Sequence, residues 1–280
     1  MNSLFLFSSQ ADDVDSITAS SSTLPITNIQ NTQRSKVWRS GAGTTSNFQF
    51  QLANPLGANY LALVDLNLTT AGTILIEAWD DAFDGAEQTV DVTISPTLYA
   101  VTEEAEAFGG GNYGAGLFGA NTPLEQLSSQ NITLYDFGEA VFSPYWRITL
   151  TDENTSYQQL GRLMLSNAFV FTYNLSLNYN LTRVDRSPAR ESMGGQRFVQ
   201  KRPSRLQIGG KFPLMPDVDR TAFLIEYERT QNTDPFVYSV YPENTNRGLT
   251  TTLYGRFSDA DMSERIYQAT DLNFTVVEEL

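Results

Sequence analysis

The sequence contains no cysteine and no histidine among its 280 residues. Their absence excludes thiol nucleophiles, Ser-His and Cys-His dyads, thiolate or imidazole zinc sites and haem ligation. Lysine is scarce, with only Lys36, Lys201 and Lys211, so Schiff-base and Ser-Lys chemistry have few starting points. No run of 18 or more apolar residues occurs, and no membrane insertion is expected. The opening residues, 1–16, lack a basic segment and hold a four-residue apolar patch, Leu4–Phe7. They do not read as a secretion signal, so the chain is expected to be made in a cytoplasm. Basic residues are outnumbered, 18 against 32 acidic, for a net charge of −14. Such a chain is a poor nucleic-acid binder, because that affinity comes mainly from Lys and Arg neutralising phosphates.

Hydrophobic residues make up 41% of the chain and aromatics 12%. That is enough to bury a core in one large domain or two ordinary ones without disulfides or a metal. The charge divides the chain. Residues 1–175 hold 5 basic and 18 acidic side chains, and residues 176–280 hold 13 and 14. Within 183–211 lie Arg183, Arg186, Arg190, Arg197, Lys201, Arg202, Arg205 and Lys211 against Asp185 and Glu191. Two domains, 1–175 and 176–280, are expected. The basic stretch is either a solvated face or a subunit contact that meets an acidic neighbour.

The hydropathy pattern is that of β-structure. Short apolar or alternating runs occur at 48–52, 59–68, 73–79, 89–94, 131–137, 145–150, 160–165 and 168–173, with Gly, Pro, Asn and Asp between them. Many short strands at close spacing predict an antiparallel sandwich or barrel. In the second half, strands are expected at 169–181, 198–208, 211–214, 236–241, 250–257 and 272–278. One helix is expected at 217–230. Asp217 or Asp219 would cap it, and Val218, Ala222, Phe223 and Ile225 would form its apolar face.

Several segments are candidates for chemistry. Asp80, Asp81, Asp84 and Glu87 surround a turn. Their spacing departs from the EF-hand pattern, and a solvated turn is the simpler reading beside a Ca²⁺ site or a catalytic carboxylate pair. Phe108–Gly119 has six glycines and the aromatics Phe108, Tyr113 and Phe118. It is a surface excursion or a contact loop, and it lacks the Gly-Lys-Ser/Thr of a phosphate loop. Arg39 follows Trp38 and Arg147 follows Trp146. Such pairs either stack or grip a carboxylate, or simply set a core Trp beside a surface Arg.

Four stretches, in order, carry a family likeness. They are Leu24–Asn28 with Lys36–Arg39, Tyr60–Leu68, Ile74–Asp81, and Tyr145–Leu150 with Leu160–Leu165. Residues 12–173 thereby resemble the discoidin-type, galactose-binding-like jelly roll found in structural proteins of tailed bacteriophages. The strand-rich 176–280, with its one helix, Tyr254-Gly-Arg-Phe257 and the ending Phe274–Leu280, resembles the tail-tube-like β-sandwich module of distal-tail and baseplate proteins. The likeness implies a non-enzymatic tail-tip or baseplate component of the virion. Its partners would be copies of itself in a trimeric or hexameric ring and other tail proteins, with no cofactor required and a Ca²⁺ ion in the jelly roll left open. The alternative it implies is a carbohydrate-binding adhesion module recognising a host surface glycan, with Trp38, Asp80, Asp81 and Tyr113 as contact candidates.

Overall fold

A computed structural model describes residues 3–96, 131–191, 196–200, 202, 204–243, 251–266 and 269–279. The Gly-rich stretch 108–119, with Tyr113, lies outside the described residues, as does Lys201.

The chain opens with strand β1 (Leu4–Leu6). It continues with β2 (Val14–Ala19), β3 (Trp38–Arg39), β4 (Thr45–Leu52), β5 (Ala58–Val64), β6 (Thr73–Trp79) and β7 (Gln88–Ile94). Then come β8 (Ile132–Val141), β9 (Tyr145–Thr151), β10 (Gln159–Leu160), β11 (Arg162–Ser166) and β12 (Phe169–Val170). The second half holds β13 (Asn180–Val184), β14 (Ala189–Glu191), β15 (Arg197–Val199), β16 (Arg205–Pro216), α1 (Asp217–Thr230), β17 (Phe236–Ser239), β18 (Thr252–Ile266) and β19 (Ala269–Glu278). The protein is mainly β, and α1 has the expected bounds.

A five-stranded antiparallel sheet, β2-β4-β9-β6-β7, faces a three-stranded one, β11-β5-β8. Together they form a jelly-roll sandwich. Alternation along β4 and β9 sends Phe48, Phe50, Leu52, Trp146, Ile148 and Leu150 inward, and their neighbours outward. Successive strand side chains point to opposite faces, so a polar–apolar alternation buries one face.

The three-stranded sheet is covered on both faces, which explains the unbroken apolar run of β5. Leu61 and Leu63 join the sandwich core. Tyr60, Ala62 and Val64 pack instead with Leu4, Leu6, Val237 and Tyr254. Those last four residues belong to a seven-stranded antiparallel sheet, β12-β1-β17-β18-β19-β16-β13. Its other side is a second core, rich in aromatic rings, closed by α1 through Phe223. The layers therefore run five-stranded sheet, three-stranded sheet, seven-stranded sheet, helix.

Several expectations need correction. A cut at 175/176 does not follow the sheets: β1 and β12 lie before it, yet both pair within the seven-stranded sheet. The first three residues of the apolar patch are β1, with Leu4 and Leu6 on one face and Phe5 on the other. The long strand expected at 169–181 is broken. Pairing stops at Val170, and further on Asn174 Oδ1 accepts the N–H of Ser3 at 3.1 Å and of Leu175 at 2.7 Å. The helix is preceded by Pro216, with no side-chain cap. Asp219 instead accepts from the Thr172 N–H at 2.7 Å. Finally, Val218 and Ile225 point to solvent, and Phe223 alone of the four expected residues is fully buried.

Candidate functional site

At the end of the sandwich where β5 finishes, the chain turns through Asp65 in the left-handed region, at φ 58°. Asp is among the residues that tolerate this region best. The turn brings its carboxylate to Arg34, whose Nε and Nη2 donate to it at 2.5 and 2.7 Å. Arg34 also donates to the Glu279 carbonyl at 3.2 Å, tying the sandwich to the last strand of the other sheet. Asn67 Oδ1 accepts the Gln159 N–H at 2.7 Å, and its Nδ2 donates to the Tyr157 carbonyl at 2.9 Å. Arg39 lies 4.4 Å over the Tyr157 ring and donates to Gln159 Oε1 at 2.9 Å.

Arg34, Asp65, Asn67 and Gln159 line an open pocket of about 500 Å³ together with Ser35, Val37, Leu66 and Asn131. Its wall mixes amide, carboxylate and guanidinium groups, which can donate to and accept from hydroxyls. Asp65 faces Arg34 rather than a second carboxylate, so the pocket offers no acid–base pair. The sequence reading missed Arg34, Asp65, Asn67, Asn131 and Gln159. The one local signal was the Val-Asp-Leu-Asn-Leu run, where polar residues interrupt a strand at its end.

The acidic turn 80–87 lies at the opposite end of the sandwich. Asp80 Oδ1 accepts from Ser143 Oγ at 2.7 Å, and its N–H donates to the Glu87 carbonyl at 3.0 Å. Asp81 Oδ2 accepts the Ala86 N–H at 3.1 Å. Backbone N–H groups of the turn, Ala82 first, hold the Asp81 carboxyl below the usual range. A Cβ on Gly85 would meet the Asp81 carboxylate at 2.1 Å, so glycine permits this closure. The turn thus uses its own carboxylates. Among the described residues, no three Asp or Glu side chains gather in a metal-ligand arrangement.

Arg147 grips Asp84 through two bonds of 2.8 Å, lies 4.9 Å over the Trp79 ring, and holds the Asp84 carboxyl below the usual range. For this pair the third alternative holds, a core Trp beside an outward Arg; Arg147 does stack and grip a carboxylate, but on Trp79 and not on its neighbour Trp146. Adjacent strand residues face opposite ways, so Trp146 enters the core while Arg147 meets side chains from β6 and its turn. Trp38 is corrected as a glycan contact. It is fully buried, its indole N–H donates to Ser22 Oγ at 3.1 Å, and its ring lies edge-on to Phe48.

The basic residues follow the β13–β16 hairpin. Arg183 is on β13, Arg190 on β14, Arg197 on β15 and Arg205 at the start of β16. Arg202 is exposed and its N–H donates to Ser187 Oγ at 2.9 Å. Arg186 and Arg205 meet Arg256, Asn232, Glu278 and Glu279 around a cleft of about 300 Å³. Arg256 was not foreseen; it comes from β18, two strands away from β16. Burial pushes the Glu278 carboxyl upward, opposed by the Leu206 N–H it accepts at 2.6 Å.

No protein-family model matches the sequence, and no curated protein matches it. Solved structures do match in part. A chitosan-binding module of a chitosanase/glucanase from Paenibacillus sp. IK-5 is 17% identical, covering 57% of this chain and 98% of its own, with a TM-score of 0.38. CBM32-3 from a family 31 glycoside hydrolase of Clostridium perfringens is 15% identical, covering 57% and 95%, with a TM-score of 0.38. A Streptococcus pneumoniae fucose binding module is 10% identical, covering 57% and 94%, with a TM-score of 0.36. The jelly-roll assignment itself rests on the paired sheets described above.

Proposed function

We propose that this chain is a non-enzymatic structural component, assembling with itself and with other proteins in the tail tip or baseplate of a tailed bacteriophage. One observation supports the self-assembly. Among the described residues, six exposed large apolar side chains lie in the shorter second half, Leu177, Leu181, Val184, Leu214, Val218 and Ile225, with Leu177 at 90% and Val218 at 80% exposure. Exposed apolar side chains that join into a patch mark surfaces that partners cover. The rigid stacking of layers suits a part whose task is positioning. Light scattering on the purified protein at low and moderate salt is the test. A single closed species of three or six copies is expected, because homo-oligomers favour closed rotational symmetry. A monomer at every concentration would sink the self-assembly.

Glycan recognition is the second reading, favoured by the polar pocket around Asn67, Asn131 and Gln159. Modules of similar fold are named for binding fucose and chitosan, but the reading for this chain stands on the pocket alone. Calorimetric titration with host surface polysaccharide is expected to give binding that Asn131→Ala and Gln159→Ala weaken at least tenfold. Binding unchanged by either substitution would move the site elsewhere.

A further inference from the structure

The second half carries an open, basic arm. β13 is the outer strand of the seven-stranded sheet, and all five of its residues are exposed, Leu181 and Val184 among them. Beyond it the hairpin continues. Gln200 N–H donates to the Pro188 carbonyl at 3.1 Å, and β14 pairs with β15, Glu191 opposite Arg197. Arg186, Arg190 and Arg202 project from this arm into solvent. An open strand edge bearing apolar side chains is a surface that proteins normally cover.

We propose that this arm docks on the acidic end of the jelly roll of a second copy of the chain. The inference rests on the self-assembly reading above and names its contact. β7 is likewise an outer strand, at the edge of the five-stranded sheet. Asp91 is exposed on it and Glu87 just before it, beside Asp81 and Asp84 of the turn. Arg147 is the cation among them, and Asp84 already engages it. Apolar surface accompanies the acids: Phe142 is 63% exposed, next to Ser143, which is bonded to Asp80. The two surfaces are thus complementary in charge, each adds apolar side chains, and among the described residues β13 and β7 are outer strands of their sheets.

The arm lies away from the acidic end of its own jelly roll. Arg186 lines a cleft with Glu279, whose carbonyl accepts from Arg34 beside Asp65, and the 80–87 turn is at the opposite end of the sandwich. The contact is therefore between copies and head to tail, the type that generates a ring when its rotation closes.

Charge reversal on each side tests this. The wild type is compared by light scattering with Arg186→Glu/Arg190→Glu and with Glu87→Lys/Asp91→Lys, after circular dichroism confirms folding. Should a double variant unfold, Arg190→Glu or Glu87→Lys alone replaces it. Each variant is expected to run at the monomer mass where the wild type assembles. An equimolar mixture of the two is expected to reassemble, because the unchanged arm of one meets the unchanged acidic end of the other and the two reversed surfaces are complementary as well. A wild-type oligomer that neither variant disturbs would overturn this contact and leave self-assembly standing. A wild-type monomer at all salts and concentrations would overturn both.

Discussion

At the scale of single residues, buried hydrogen bonds set the charge behaviour. Asp152 is buried, with Oδ2 accepting the Thr69 N–H at 2.5 Å and Oδ1 the Asn154 N–H at 2.8 Å. Burial pushes its carboxyl up, but these bonds outweigh burial and hold it below the usual range. A carboxylate depressed in the folded state stabilises above its unfolded pKa, and that stabilisation is lost as pH falls through the folded value. Asp152→Ala is therefore expected to cost about 2 kcal/mol at pH 7. The gap should narrow toward pH 3, and urea unfolding at both pH values measures it. An equal loss at both would assign the effect to packing. The acidic character of residues 80–87 was legible in the sequence, whereas the capture of Asp80 by Ser143 was not, since 63 positions separate them.

At the scale of elements, α1 shows how two apolar stripes compete for one core. Positions 218, 222 and 225 share one helical face; positions 223, 227 and 230 share another. The second faces the core, where Phe223 stacks with Tyr227 and lies edge-on to Phe257 at 5.8 Å. Aromatic rings bury more area than Val or Ala and gain from edge contacts, so they win the inward position. Phe223→Ala is expected to destabilise by about 3–5 kcal/mol. Val218→Lys and Ile225→Lys should each stay within about 0.5 kcal/mol. Chemical denaturation distinguishes them, and equal losses would contradict the assigned face. The extent of the helix was legible because Pro216 and the acidic first turn mark its start. The face it buries depended on rings supplied by distant strands.

At the scale of the whole molecule, the sandwich and the seven-stranded sheet share a buried layer through Leu4, Leu6, Tyr60, Val64, Met164, Val237 and Tyr254. Arg162 reinforces the sandwich side of that region. It is buried, donates to both Asp12 oxygens at 2.7 and 2.5 Å, and also donates to the Ile29 carbonyl. Breaking such a layer exposes apolar surface on both sides, so the full chain is expected to unfold in one cooperative transition. A fragment of residues 176–280 lacks β1 and β12, and with them Phe5 from the centre of the aromatic core. It is expected to show no calorimetric transition of its own. Two separable transitions in the intact chain would show that the halves fold independently.

Composition by itself excluded thiol and imidazole chemistry, and period-two alternation by itself marked most strands. Both properties are local: they depend on which residues are present and on neighbours one or two positions apart. Tertiary structure alone decided that β1 joins the far sheet, that Trp38 is buried, that Arg147 stacks on Trp79, and that Arg34, Asp65, Asn67 and Gln159 share a pocket. Those outcomes depend on which surfaces exclude water together. That choice is made between segments separated by up to 245 positions, as for Arg34 and Glu279, where no local pattern carries the information.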